Sequence, residues 1–132
     1  MTPTVLYIED HPDNMTLVRR ILHSECYTLI EAKTGFQGIF FAETQDVDLI
    51  LLDINLPDID GYEIARRLRS SKKKTALAHI PIIAVTANAM KGDMQKALEA
   101  GCNLYMSKPI NIFDLLEKVN TFTNKETPGN TL

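Results

Sequence analysis

Asp48-Leu49-Ile50-Leu51-Leu52-Asp53-Ile54-Asn55-Leu56-Pro57 is the stretch whose reading decides the fold. A short apolar run bounded by acids and closed by a Leu-Pro break reads as a strand buried on both faces, being too short for an independent helix. Such strands belong to parallel sheets with helices on either side. Asp53 then stands at the carboxyl end of a central strand, where open α/β sheets place their ligands. A carboxylate there is costly without a partner, although a lone acid at a strand end serves as readily as a turn or helix cap. What gathers beside Asp53 decides its role.

Toward the N-terminus, Thr4-Val5-Leu6-Tyr7-Ile8 is a β-branched, apolar run ending in Glu9-Asp10, and reads as the first strand. Pro12 suits the first position of a helix over about 12–24, whose buried stripe is Leu17, Val18, Ile21 and Leu22. Tyr27 to Glu31 reads as the second strand, and Thr34-Gly35 opens a helix carrying Phe36, Ile39 and Phe40 on one side. After the third strand, Asp60-Gly61-Tyr62-Glu63 resembles a capping box for a helix buried through Ile64, Ala65 and Leu68. Its basic end, Arg66, Arg67, Arg69 and Lys72-Lys73-Lys74, is expected to be solvated.

Pro81 to Thr86 is the fourth strand, and Ala87 to Met90 leads into a helix with Met90, Met94, Ala97 and Leu98 as a weak stripe and Gly101 as C-cap. Leu104-Tyr105-Met106-Ser107 is the fifth strand, closed by Lys108-Pro109, and Asn111 caps a last helix with Ile112, Leu115, Leu116 and Val119 inward. Five βα units in alternation predict an α/β fold, a doubly wound parallel sheet of the flavodoxin-like (βα)5 type with strand order 2-1-3-4-5. One domain over residues 1–123 and a flexible polar tail over 124–132 are expected.

The 132 residues, 45% hydrophobic and 23% charged, suit one globular domain, and a net charge of -3 gives no reason to expect a nucleic-acid surface. No apolar run approaches membrane-spanning length, and no secretory signal precedes the first strand, so a cytoplasmic location is the expectation. Cys26 and Cys102 lie far apart without metal-type spacing, and His11, His23 and His79 are scattered. Reduced thiols are expected, with neither a zinc site nor a Cys/His nucleophilic pair.

In the order 2-1-3-4-5 the carboxyl ends of the strands open onto one crevice, which collects Glu9, Asp10, Asp53, Asn55, Thr86 and Lys108. Three crowded carboxylates repel one another by several kcal/mol in a partly desolvated site. Lys108 and a divalent ion held by Asp10, Asp53 and a backbone carbonyl would offset that repulsion, in the manner of protein-bound Mg²⁺. An aspartate carboxylate can act as nucleophile toward a phosphoryl group, with Lys108 and the Thr86 hydroxyl neutralising its oxygens. These are the ingredients of an acyl-phosphate site.

Glu9-Asp10, Asp53 within Leu52-Asp53-Ile54-Asn55-Leu56-Pro57, Asp60-Gly61, Thr86-Ala87, Tyr105 and Lys108-Pro109 together resemble the receiver domain of two-component response regulators, from Thr4 to about Thr121. The stretch from Ala78 to Asp93 is especially similar to DivK-type stand-alone receivers and to receivers of hybrid histidine kinases. The resemblance implies Asp53 as phosphoacceptor, Asp10 as a direct Mg²⁺ ligand, Glu9 acting on the metal through water, and Asn55 offering its backbone carbonyl. It implies Thr86 and Lys108 on the phosphoryl oxygens, a cis Lys108-Pro109 bond, and a switch in which Thr86 and Tyr105 move together. The phosphoryl donor would be a phosphohistidine of a histidine kinase or phosphotransfer protein, docking near Met15 and Ile110. Asn55 and Asn88 would tune phosphoryl lifetime. Output would pass through protein contacts, without DNA binding or membrane insertion, from a monomer or weak dimer that is not a turnover enzyme.

The family's strand-one acids are often two aspartates, and Glu9 departs from that form. Three rivals stay open, the third being a degenerate, phosphorylation-independent receiver. A haloacid-dehalogenase-type phosphatase usually carries a second aspartate where Asn55 stands, and a flavodoxin-type nucleotide module would need a phosphate cradle in place of Glu9-Asp10-His11-Pro12. The same receiver could also be one portion of a longer hybrid kinase or regulator.

Overall fold

The computed structural model describes residues 2–87 and 92–123. Its elements alternate: β1 (Thr4–Ile8), α1 (Pro12–Ser24), β2 (Thr28–Ala32), α2 (Gly35–Thr44), β3 (Leu49–Asp53), α3 (Gly61–Ser70), a short 3-10 helix (Thr75–Ala78), β4 (Ile82–Thr86), α4 (Asp93–Ala100), β5 (Leu104–Ser107) and α5 (Ile112–Thr123). The five strands form one sheet in the order β2-β1-β3-β4-β5, parallel at every pairing. This is the flavodoxin-like architecture the alternating pattern predicts.

Side-chain alternation along the strands divides the core into two layers. Leu6, Ile8, Ile50, Leu52, Ile82 and Ala84 face one side, against Ala42 of α2, Ile64, Ala65 and Leu68 of α3, and Ala97 and Ala100 of α4. Val5, Tyr7, Leu49, Leu51, Ile83 and Met106 face the other, against Met15, Val18 and Leu22 of α1 and Leu115 and Val119 of α5. Every residue of β3 and β4 is buried, which explains their unbroken apolar runs. Pro12 opens α1, Asp60 accepts the Tyr62 N–H at the start of α3, and Asn111 accepts the Asp114 N–H at the start of α5.

Four local expectations are corrected. Phe36 and Phe40 do not line the inner face of α2; they are 54% and 58% exposed, and Gly35, Gly38 and Ala42 face inward instead. The reason is distance: a Cβ on Gly38 would lie 2.4 Å from Ile8 Cδ1, so α2 sits too close to the sheet for a large side chain. Phe36 is covered in part by the Arg67 guanidinium, 5.7 Å from its ring centroid. Likewise Met94 and Leu98 are 58% and 48% exposed, and small Ala97 and Ala100 seat α4. Met90 and the residues leading into that helix, 88–91, lie outside the described residues, as does the expected tail at 124–132.

Glu63 does not return to the cap; it pairs with Arg66 and Arg67 along the helix. Nor is the basic end of α3 simply solvated. Arg69 donates to Leu77 O and Gly101 O, each at 2.9 Å, and to Asn103 Oδ1 at 2.7 Å, while Lys73 and Lys74 meet Glu43 and Asp46 at 3.5 and 3.7 Å. Both cysteines are free thiols, Cys26 exposed and Cys102 buried.

Candidate functional site

The parallel sheet delivers the carboxyl ends of β1, β3, β4 and β5 to one edge, and the polar residues follow those ends. Glu9 continues β1 and is buried, while its neighbour Asp10 is exposed. Asp53, the last residue of β3, is buried, its strand held on both sides by β1 and β4. Side-chain oxygens of Glu9, Asp10 and Asp53 lie within 4.8 Å of one another. Lys108, which follows β5, sets Nζ 3.0 Å from Glu9 Oε1 and 3.3 Å from Asp53 Oδ1. The Lys108 N–H also donates to Thr86 O at 2.8 Å, which pins the lysine to the end of β4. The Lys108-Pro109 peptide bond is cis.

The loop after β3 is braced from several directions. Ile54 N–H donates to Val85 O at 3.0 Å, Gly61 N–H to Ile54 O at 3.1 Å, and Asn55 N–H to Asp53 Oδ1 at 3.0 Å. Gly61 permits this closeness, since a Cβ there would fall 2.5 Å from Ile54 Cα and 2.8 Å from Asp53 O. Asp58 accepts the N–H groups of Gly35 and Phe36 at 2.9 and 3.0 Å, tying the same loop to the first turn of α2. Thr86, buried at the end of β4, donates to Asn55 Oδ1 at 3.4 Å.

Electrostatics separates the two buried acids. Burial, reinforced by Glu9, pushes the Asp53 carboxyl up to about 6, against the opposing help of the Asn55 N–H and Lys108. Burial would raise Glu9 as well, but hydrogen bonding with Asp53, Lys108 and Tyr7 holds it below the usual carboxylate range. Lys108 shows the converse balance: burial pulls it down, and the two acids more than restore it, so it remains a cation. Three carboxylates and one ammonium leave a formal charge of -2 when all are ionised. A divalent cation matches that charge, and hard carboxylate oxygens are the donors Mg²⁺ takes.

Glu9, Asp10, Asp53 and Lys108 therefore converge, with Thr86 and Asn55 at the adjoining strand end. Tyr105 stands apart from the acids. It is half-buried against the core and paired in register with Ala84, two residues before Thr86, whose own register partner is Ser107. Met15 is a buried core residue of α1, and Ile110 packs partly buried on the same layer. Asn88 lies outside the described residues. Sequence reasoning missed two groups: Tyr7, which donates to Glu9 Oε1 at 2.9 Å, and Asn14, whose Nδ2 donates to the same oxygen at 3.2 Å. For Tyr7 a signal existed, since residues two apart on a strand share a face.

Comparison with known proteins gives the family of the chain. The family model for the response regulator receiver domain matches residues 5–120. The chain is 38% identical to the polar-differentiation response regulator DivK of Brucella ovis, over 92% of this chain and 97% of that protein. Among solved structures, it is similar to the receiver domain of a sensor histidine kinase from Pseudomonas aeruginosa PAO1, with a TM-score of 0.84 and 35% identity over 94% of this chain and 99% of that one. That structure has a magnesium ion coordinated in its active site cleft. A CheY-like receiver domain protein from Methanospirillum hungatei JF-1 is 29% identical with a TM-score of 0.83, over 95% of this chain and 96% of that one. The chain belongs to the response regulator receiver domain family of two-component signalling proteins.

Proposed function

We propose that Asp53 accepts a phosphoryl group from a phosphohistidine on a histidine kinase or phosphotransfer protein, in a Mg²⁺-dependent reaction. The observation that carries this reading is a buried carboxylate at the end of β3, set between two further acids and the Lys108 ammonium. An Asp53 oxygen attacks phosphorus, the bond from phosphorus to the donor imidazole nitrogen breaks, and the electron pair stays on that nitrogen. Because Asp53 is pushed up only to about 6, it is ionised and nucleophilic at neutral pH.

In this reading Asp10, Asp53 and the Asn55 carbonyl would hold the metal directly, and Glu9 would act on it through water. Mg²⁺ bound there supplies charge neutralisation for the transferring phosphoryl group. Lys108 holds one phosphoryl oxygen with its ammonium, and the Thr86 hydroxyl turns from Asn55 to another. Tyr105 shares the Thr86 face of the sheet, and its ring follows when Thr86 moves, changing the surface of α4, β5 and α5 that an output partner reads. A phosphoryl group adds about -1.5 to -2 charges, enough to bias such a two-state shift. Signalling then runs through altered protein contacts in the cytoplasm. A second reading, a receiver serving within a longer hybrid kinase, is supported by the 35% identity to the receiver domain of a sensor histidine kinase.

Phosphotransfer from a radiolabelled histidine kinase or phosphotransfer protein tests the reading. Label should reach the wild-type chain in Mg²⁺, and fail to reach it in EDTA or after Asp53→Asn. Equal labelling of Asp53→Asn would overturn the assignment.

A further inference from the structure

Tyr7 and Asn14 hold Glu9 yet have no part in the proposed phosphoryl chemistry. Glu9 Oε1 accepts from the Tyr7 hydroxyl at 2.9 Å, Asn14 Nδ2 at 3.2 Å and Lys108 Nζ at 3.0 Å. Its other oxygen, Oε2, receives the His11 N–H at 3.3 Å. A carboxylate offers about two lone-pair sites on each oxygen, so three donors saturate Oε1 and the spare capacity lies on Oε2. Tyr7 is committed to this contact: its ring is buried in the core layer under α1, and along the strand it stands between the apolar residues Leu6 and Ile8. Asn14 reaches the same oxygen from the first turn of α1.

The geometry points to Tyr7 and Asn14 as positioning residues that fit the cation site to a glutamate, fixing Glu9 Oε1 so that Oε2 would be the oxygen left to serve a bound cation. An aspartate at position 9 would be shorter by about 1.5 Å. Its oxygens would then fall outside hydrogen-bond reach of both donors. The pair therefore acts through Glu9 and has no purchase on a shorter acid. The inference rests on the proposed function, since it concerns the affinity of the same site.

Calorimetric titration with Mg²⁺ tests it on Tyr7→Phe and Asn14→Ala, each made in the native chain and in Glu9→Asp. Intact-mass measurement of Asp53 phosphorylation over a range of Mg²⁺ concentrations accompanies each titration. In the native background each substitution should weaken Mg²⁺ by about 10-fold, as loss of an outer-shell partner does. The half-saturating Mg²⁺ concentration should move more than the rate at saturation. In the Glu9→Asp background the same substitutions should have no effect on Mg²⁺ affinity. Equal losses in both backgrounds, or no loss in the native one, would overturn the inference. Should Tyr7→Phe fail to fold, Asn14→Ala, on a half-buried helical position, decides by the same criterion. A wild-type chain that binds no Mg²⁺ would overturn the proposed function and this inference together, whereas Mg²⁺ binding without dependence on residue 9 overturns the inference alone.

Discussion

Tyr7 and Glu9 lie two residues apart along the line of β1, and the tyrosine hydroxyl donates to Glu9 Oε1 at 2.9 Å within the buried end of the sheet. The bond joins the hydrophobic core to the acidic corner. It is one of the contacts that hold Glu9 below the usual carboxylate range, after those with Asp53 and Lys108.

The phenol of Tyr7 is the first consequence. Burial, then the charge of Glu9, pushes its ionisation well above the ordinary range for tyrosine. A raised folded value means the neutral phenol is favoured by folding, so its contribution to stability is complete below about pH 10 and falls as pH rises further. Absorbance at the tyrosinate wavelength should show Tyr7→Phe losing one ionisation that occurs in wild type only together with alkaline unfolding. A Tyr7 that titrates in the folded chain near pH 10 would contradict this.

Asp53 behaves in the same sense at the other end of the pH scale. Its folded value, about 6, exceeds the ordinary 3.8 because burial and Glu9 penalise the anion. Stability is thus greatest below the unfolded value and declines as pH rises through the folded one. In EDTA, Asp53→Asn should be more stable than wild type at pH 8 by on the order of 1–3 kcal/mol, with the gain fading toward pH 4. Mg²⁺ should narrow the gap by binding wild type. Urea melts at the two pH values check this, and an Asp53→Asn chain less stable at pH 8 would refute it.

Arg69 is a structural tie rather than a surface charge. Its guanidinium joins the 3-10 helix at Leu77 O, the end of α4 at Gly101 O and the Asn103 side chain, which in turn accepts the Ile82 N–H at 2.9 Å. Arg69→Ala should cost about 2–4 kcal/mol in urea denaturation, because it takes the guanidinium from the Leu77 and Gly101 carbonyls, leaves Asn103 Oδ1 with the Ile82 N–H alone and removes the packed stem. Arg69→Lys should recover little, since one ammonium does not reproduce the planar fork.

Much of this was legible in the sequence, and the failures share a cause. Leu49 to Leu52 and Ile82 to Val85 announced buried parallel strands because doubly covered strands are apolar throughout. Once the strands were parallel, Glu9, Asp10, Asp53, Thr86 and Lys108 had to share an edge, whatever the details of packing. The inner faces of α2 and α4 were misread because hydrophobic size marks burial only where there is room; at Gly38 closeness to the sheet mattered more, small Ala97 and Ala100 are the buried residues of α4, and Phe36, Phe40, Met94 and Leu98 are exposed. The ties made by Arg69, expected to be solvated, and by Asn14 were not legible for another reason. Partners of Arg69 such as Gly101 and Asn103 lie far along the chain, and that of Asn14 sits across the β1–α1 loop, so both are chosen by how loops close, which charge or amide character alone does not reveal.

Intact mass spectrometry after incubation with Mg²⁺ and a small acyl-phosphate donor tests the central claim most directly, because it needs no cognate kinase. The wild-type chain should gain one phosphoryl group of about 80 Da, lost on mild alkaline treatment as an acyl phosphate is, and the gain should vanish in EDTA and in Asp53→Asn. An unmodified wild-type chain, or the same gain in Asp53→Asn, would contradict the account.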